Sequence, residues 1–256
     1  MTTLPTEKTP HNPKFEDAVY DFPNPTPPRH YYMIASTPRA GGTYFSQSLW
    51  RTGIMGAPHE YFGFYGTFLQ LVARLKPATL QSFLEDLVPR RTSANGVFGV
   101  KVHYDHLQFM LLSGVMSQFK NSKVIFIERQ DHLAQAVSHA RALQTSQWTS
   151  LHDARKSAPT YDANLIRWCV NHINLQRQGW RSFFEQHKVS PIRVDYDDFI
   201  AAPSRVIDEV VAHMDVPAAP VSSVALPEID KQSDNLNVEW MARFKAETEQ
   251  SGSGAV

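Results

Sequence analysis

An arginine, two glycines and a threonine stand together in Ser36-Thr37-Pro38-Arg39-Ala40-Gly41-Gly42-Thr43. These residue types, in this order, suit an oxyanion such as phosphate or sulfate. Adjacent glycines let the backbone turn tightly and bring N–H groups onto an anion. Arg39 offers a planar fork of donors, and Thr43 a hydroxyl. The loop is not a Walker A loop, because Thr43 follows Gly42 directly with no lysine between them. Nor is it G-x-G-x-x-G. The plain alternative is a strand-to-helix turn in which Thr43 caps the helix. Arg129, Ser138 and Arg141 form a second group able to converge on an anion. The alternative there pairs Arg129 with Glu128 or Asp131. His59-Glu60 supplies two rival bases, an imidazole that titrates near neutrality and a carboxylate. It is not a zinc-binding H-E-x-x-H motif, since Gly63 stands where the second histidine is needed. The remaining histidines form no ligand cluster, so no metal is expected.

These residues need elements to position them. YYMIAS (31–36) reads as a strand ahead of the glycine loop, and a helix follows from Thr43 to about Gly53. A helix N-terminus beyond the loop would add unpaired N–H groups and the positive end of its dipole. Thr79 predicts a helix cap, with Leu80, Phe83, Leu84 and Leu87 on one face. GVFGVKVHY (96–104) and KVIFIERQ (123–130) read as strands, the second fully buried. Helices follow from Asp105 and Asp131, and a long one fills 162–187. IRVDY (192–196) is another strand, and Pro203–Met214 another helix. Alternating strands and helices predict an α/β fold: a P-loop-like three-layer arrangement, with a central, mostly parallel sheet flanked by helices. In such sheets ligands sit beyond the carboxyl ends of the strands. Arg129 would therefore share an edge with the 36–43 loop. Lys101 and His103, on the 96–104 strand, could face that edge too, though a half-buried structural role suits His103 equally. Segments 61–75 and 145–160 read as loops able to build a variable pocket. Phe62, Phe64, Tyr65 and Phe68 could make a sugar platform, a lipid-facing lip or plain core. Trp148, in a loop, could stack on a sugar or a purine, whereas Trp168 and Trp180, on a long helix, read as core.

Composition narrows the function classes. The 256 residues carry 25 Lys+Arg against 25 Asp+Glu. A net charge of zero argues against an electrostatic nucleic-acid binder. At 42% apolar the chain can bury a sizeable core. The single Cys169 excludes an internal disulfide and any multi-cysteine metal site. No apolar run approaches the ~18 residues of a membrane span, and the first 30 residues lack the apolar stretch of a secretory signal. The expected location is the cytoplasm. Residues 1–29, with seven prolines, read as an extended or disordered arm, 30–246 as one domain, and 247–256, ending SGSGAV, as a flexible tail.

Three segments together resemble bacterial sulfotransferases of the trehalose 2-sulfotransferase-like family, which use 3′-phosphoadenosine 5′-phosphosulfate. IASTPRAGGTYFSQSLWRTGIMGAPHEYF (34–62) is similar to the family's 5′-phosphosulfate loop, helix and acidic motif. FIERQDHLAQAVSHARALQTSQW (126–148) is similar to its 3′-phosphate segment, and LPEIDKQSDNLNVEWMARF (226–244) to its carboxyl-terminal basic segment. The resemblance implies that Arg39, Ala40, Gly41, Gly42 and Thr43 hold the phosphosulfate. Arg129 and Ser138 would hold the 3′-phosphate, and Lys231 would close over the nucleotide. Glu60 matches the family's base, which favours it over His59. Ala40 and Gly42 stand where the family often has serine, which puts more weight on backbone N–H groups. His59, Lys101, His103 and Trp148 are the candidates for contact with the acceptor, a small molecule with a hydroxyl on a sugar or glycolipid. The family also implies a homodimer. Two other readings stay open. One is a kinase-like nucleotide enzyme, although a Walker lysine and an acidic magnesium strand are both missing. The other is an inactive nucleotide-binding module.

Overall fold

The computed structural model describes residues 14–63, 66–148, 158–216 and 235–252. Within them four strands form one parallel sheet in the order β2-β1-β3-β4: β1 (His30–Ala35), β2 (Val97–Val102), β3 (Lys123–Glu128) and β4 (Ile192–Asp195). The helices are α1 (Gly42–Arg51), α2 (Thr67–Leu75), α3 (Leu80–Arg91), α4 (Tyr104–Leu112), α5 (His132–Thr145), α6 (Ala163–Gln186), α7 (Tyr196–Ala201), α8 (Pro203–His213) and α9 (Asn235–Gly252).

Period-two alternation sorts the sheet into three layers. Met33 and Ala35 of β1, with Phe98, Val100 and Phe126, pack on Phe83, Leu87, Met110 and Trp180 of α3, α4 and α6. Tyr32 and Ile34, with Ile125 and Ile127, face the other way onto Phe45, Leu49, Phe199 and Ile207 of α1, α7 and α8. A third apolar group joins α5, α6 and α9 through Val137, Ile166, Cys169, Ile173 and Trp240. Both faces of β3 are covered, which is why Val124–Ile127 reads as an unbroken apolar run.

Local signals set the helix starts. Thr79 and Ser82 form a reciprocal capping box on α3. Asp131 accepts from Ala134 N at 2.9 Å, and Asp162 caps α6.

Three expectations differ from the fold. Segment 61–75 is not all loop, because α2 occupies its second half and buries Leu71. Residues 14–29 are not a free arm. Tyr20 is fully buried, Gln47 donates to its hydroxyl at 2.8 Å, and Asp21 pairs with Arg74 and with the buried Arg91. Asp21 thus gives the buried guanidinium a counter-charge, which fixes this segment across the domain. The tail boundary at 247 also moves, since α9 runs on to Gly252.

Candidate active site

Each strand delivers its next residue to one edge of the sheet. Ser36 follows β1, His103 follows β2, Arg129 follows β3 and Tyr196 follows β4. Parallel register makes this edge common to all four.

The glycine loop lies at its centre. Gly41 is the N-cap of α1, with φ of 84° and no side-chain cap. The first-turn N–H groups of α1 thus face outward as donors for an anion. A side chain at Gly41 would put a Cβ 2.3 Å from the Tyr196 ring, so only glycine fits between loop and ring. Arg39 itself adopts φ of 64° and is held from two sides. Its Nε donates to Ser138 Oγ at 2.9 Å, and its Nη1 donates to the Trp148 carbonyl oxygen. Burial, then repulsion from Arg129 and from Arg141, pushes the Arg39 guanidinium down to about 10. It is still a cation at neutral pH. Arg141 donates to Asn237 Oδ1 at 2.6 Å, which ties α5 to α9.

Arg129 does not make the ion pairs that would have explained it structurally. Glu128 pairs instead with Arg193 and Arg181, at 2.9 and 3.5 Å, and Asp131 serves α5 as its cap. The Arg129 guanidinium lies over the Tyr196 ring, 4.9 Å from its centroid, and its buried Nε has no hydrogen-bond partner among the described residues. A buried, unmatched guanidinium donor beside a glycine loop fits an anionic ligand group.

Glu60 is paired from two sides. Lys101 Nζ sits 2.6 Å from Glu60 Oε1 and donates to Thr43 Oγ1 at 2.9 Å. His103 Nε2 lies 3.2 Å from the same carboxylate oxygen, and its Nδ1 is 3.1 Å from Ser36 Oγ. Ser36 is anchored in turn by Trp180, whose indole donates to its carbonyl oxygen at 2.9 Å. Burial pushes the Glu60 carboxyl up, but Lys101 and His103 outweigh it and hold it well below the usual carboxylate range. Glu60 is therefore ionised at neutral pH, and 34% of its side chain stays exposed.

His59 parts from its neighbour. Residue 59 bridges to Val100 beside β2, and extended backbone sends consecutive side chains to opposite faces. Its ring is 2% exposed, stacked on Phe15 at 4.6 Å and edge-on to Tyr20 at 4.5 Å. The expectation that His59 rivals Glu60 as base or touches an acceptor is therefore corrected, because the N-terminal segment covers it. Phe62 and Phe68 belong to the core layer, while Phe64, Tyr65 and Lys231 lie outside the described residues. Trp180 is core, but Trp168 is not, being 51% exposed.

Sequence reasoning passed over three supporting residues. Tyr196 wedges between the loop and Arg129. Gln135 donates to Thr37 Oγ1 and the Pro38 carbonyl oxygen, at 2.8 and 2.6 Å. The buried Arg177 donates to Gln135 Oε1 and the Arg129 carbonyl oxygen, at 2.6 and 2.7 Å. Gln135 and Arg177 thus clamp the two anion-facing segments together. A polar residue on the inner face of α5 or α6 was the available signal.

The Stf0 sulphotransferase family model matches residues 31–247. The chain belongs to this family. Two trehalose 2-sulfotransferases, from Mycolicibacterium smegmatis and Mycobacterium tuberculosis, are each 26% identical to it, over 86% of this chain and 96% of theirs. A solved sulfotransferase from Alicyclobacillus acidocaldarius superimposes with a TM-score of 0.51 at 12% identity, covering 86% of this chain and 92% of that one, and shares the fold. The α/β, P-loop-like architecture expected from the sequence is therefore that of the Stf0 enzymes, and the chain is a sulfotransferase.

Proposed function

We propose that this sulfotransferase moves a sulfuryl group from 3′-phosphoadenosine 5′-phosphosulfate to a hydroxyl of a carbohydrate or glycolipid, with a trehalose-like sugar the favoured class. The observation that carries the reading is the chain Thr43–Lys101–Glu60. One buried lysine joins the anion loop to an ionised carboxylate, so a donor and an acceptor hydroxyl would meet across it. The names of the two mycobacterial relatives support the sugar.

In this reading Arg39, Ala40, Gly41, Gly42 and Thr43 cradle the 5′-phosphosulfate. Arg129 and Ser138 take the 3′-phosphate, and Lys231 closes over the nucleotide. Glu60 accepts the acceptor proton as the acceptor oxygen bonds to sulfur. The bond from sulfur to the 5′-phosphate oxygen breaks, and its electron pair stays on the phosphate. Arg39 and the loop N–H groups stabilise the charge that develops there. Lys101 and His103 orient Glu60 and lie beside the reacting hydroxyl. The reading includes a cytoplasmic, homodimeric enzyme.

Calorimetric titration with adenosine 3′,5′-bisphosphate, beside ATP and ADP, tests it. The wild type should bind the bisphosphate more tightly than either. Arg129→Ala should weaken that binding about 10- to 100-fold, the scale of lost charge-assisted hydrogen bonds. Equal or tighter binding of ATP would sink the donor assignment and promote a kinase-like chemistry.

A further inference from the structure

Two large aromatic side chains near the site are left open to solvent. Trp148 is 41% exposed and Trp168 51%. They flank one buried histidine, with ring centroids 6.0 and 6.1 Å from that of His139. His172, one turn along α6 from Trp168, lies flat against the indole at 4.9 Å and 7°. It is 5.7 Å from His139. These four rings lie outside the apolar group that packs α5 on α6. That contact is made by Ala136, Val137, Ala140, Ile166, Cys169 and Ile173.

The cluster has a definite place. Ser138, which precedes His139, accepts from Arg39, and Arg39 donates to the Trp148 carbonyl oxygen. On the other side the Gln176 amide nitrogen lies 3.0 Å from His172 Nε2, and Gln176 Oε1 accepts from the N–H of Tyr104, the residue after His103, at 3.0 Å, so the rings reach from the anion loop toward the end of β2. His139 is 4% exposed, and its Nδ1 has no hydrogen-bond partner among the described residues. Burial, reinforced by His172 and Arg39, pushes its imidazole down to about 3, so the ring is neutral. An unmatched polar atom in a neutral aromatic nest suits an uncharged ligand with hydroxyls on its rim and C–H groups on its faces.

We propose that Trp168, with His172, His139 and Trp148, is a stacking platform for a pyranose ring of the acceptor, set between the anion loop and the end of β2. This rests on the sulfotransferase reading above and adds the residues that select the acceptor. A purine would also stack on indole, but the link from His172 through Gln176 to the residue after His103 favours the acceptor over the adenine of the donor.

The test titrates trehalose, maltose and methyl glucoside into enzyme saturated with adenosine 3′,5′-bisphosphate. Trp168→Ala should weaken sugar binding about tenfold or more, the scale of one lost aromatic stack, while leaving bisphosphate affinity within about twofold. Trp168→Phe should recover most of the loss, since it keeps a ring. Unchanged sugar binding in Trp168→Ala would overturn the proposal. So would loss of bisphosphate affinity with sugar binding intact, which would make the rings an adenine platform. A wild type that binds the bisphosphate but none of the three sugars would overturn it as well. A wild type that fails to bind the bisphosphate strikes the donor reading itself, and this one with it.

Discussion

On the side proposed for the donor Arg129 and Arg141 press their charges on Arg39, while on the side proposed for the acceptor Glu60 is held between Lys101 and His103. Like charges crowd one half and opposite charges neutralise the other. A polyanion arriving among the arginines relieves their repulsion, so that half is completed by its ligand. The Glu60 half is already balanced, which suits an uncharged acceptor and keeps the carboxylate ionised. Lys101 touches both, through Thr43 on one side and Glu60 on the other.

The largest expected effect comes from breaking the acceptor half alone. Glu60→Gln keeps the shape and removes the proposed proton acceptor. Turnover with sulfuryl donor and sugar should fall about 10²- to 10⁴-fold. Affinity for adenosine 3′,5′-bisphosphate should stay within about twofold, since the arginines are untouched. Normal turnover in this variant would remove Glu60 as the base. Turnover absent from the wild type as well would mark a nucleotide-binding module without activity.

Cutting the bridge sharpens the contrast. Lys101→Met takes away the cation that most opposes the effect of burial on Glu60. The carboxyl pKa must then rise. Activity requires the ionised form, so the acidic limb of kcat/KM should move to higher pH. At neutral pH the loss should be about tenfold, the scale of one charge-assisted hydrogen bond. A pH–rate profile whose acidic limb does not move would show that Lys101 does not tune the base.

The fold was more legible than the site. β1 and β3 announced themselves as short apolar runs, because strands covered on both faces have no polar face to break the pattern, whereas β4, Ile-Arg-Val-Asp, alternates as an edge strand does. Thr79 and Asp131 marked helix starts through their side-chain oxygens. The glycine pair and Arg39 were readable as an anion loop because backbone freedom and charge are local properties. What the sequence hid was direction. Nothing in His59-Glu60 says which side chain faces the site, since that depends on where residue 59 pairs beside β2 and on Phe15 closing over it. Helical spacing likewise could not tell Trp168 from Trp180. The first faces outward from α6, and the second is buried against Phe184 and Tyr104. Tyr196 was invisible for a related reason, since its role comes from a neighbour 155 positions away in the chain, Gly41.

The smallest effect separates the two adjacent residues, His59 and Glu60. Burial, then Arg91 and Lys101, hold the His59 imidazole well below its ordinary pKa. The folded chain therefore keeps it neutral under mildly acidic conditions. The unfolded chain takes up a proton as pH falls through about 6.5. Between those two values the unfolded state binds more protons, so folding stability must drop as pH drops. Replacing His59 by leucine removes that one proton from the balance. Urea unfolding at pH 7.5 and 5.5 should then show a stability difference between the two conditions about 1 kcal/mol smaller than in the wild type. Any packing change appears at both pH values and cancels in the comparison. Turnover at pH 7.5 should stay within about twofold, because the ring lies against Phe15 and Tyr20 rather than at the strand ends. If His59→Leu instead loses turnover on the scale expected of Glu60→Gln, the imidazole is the base, and the acceptor half of the site is built around the wrong residue.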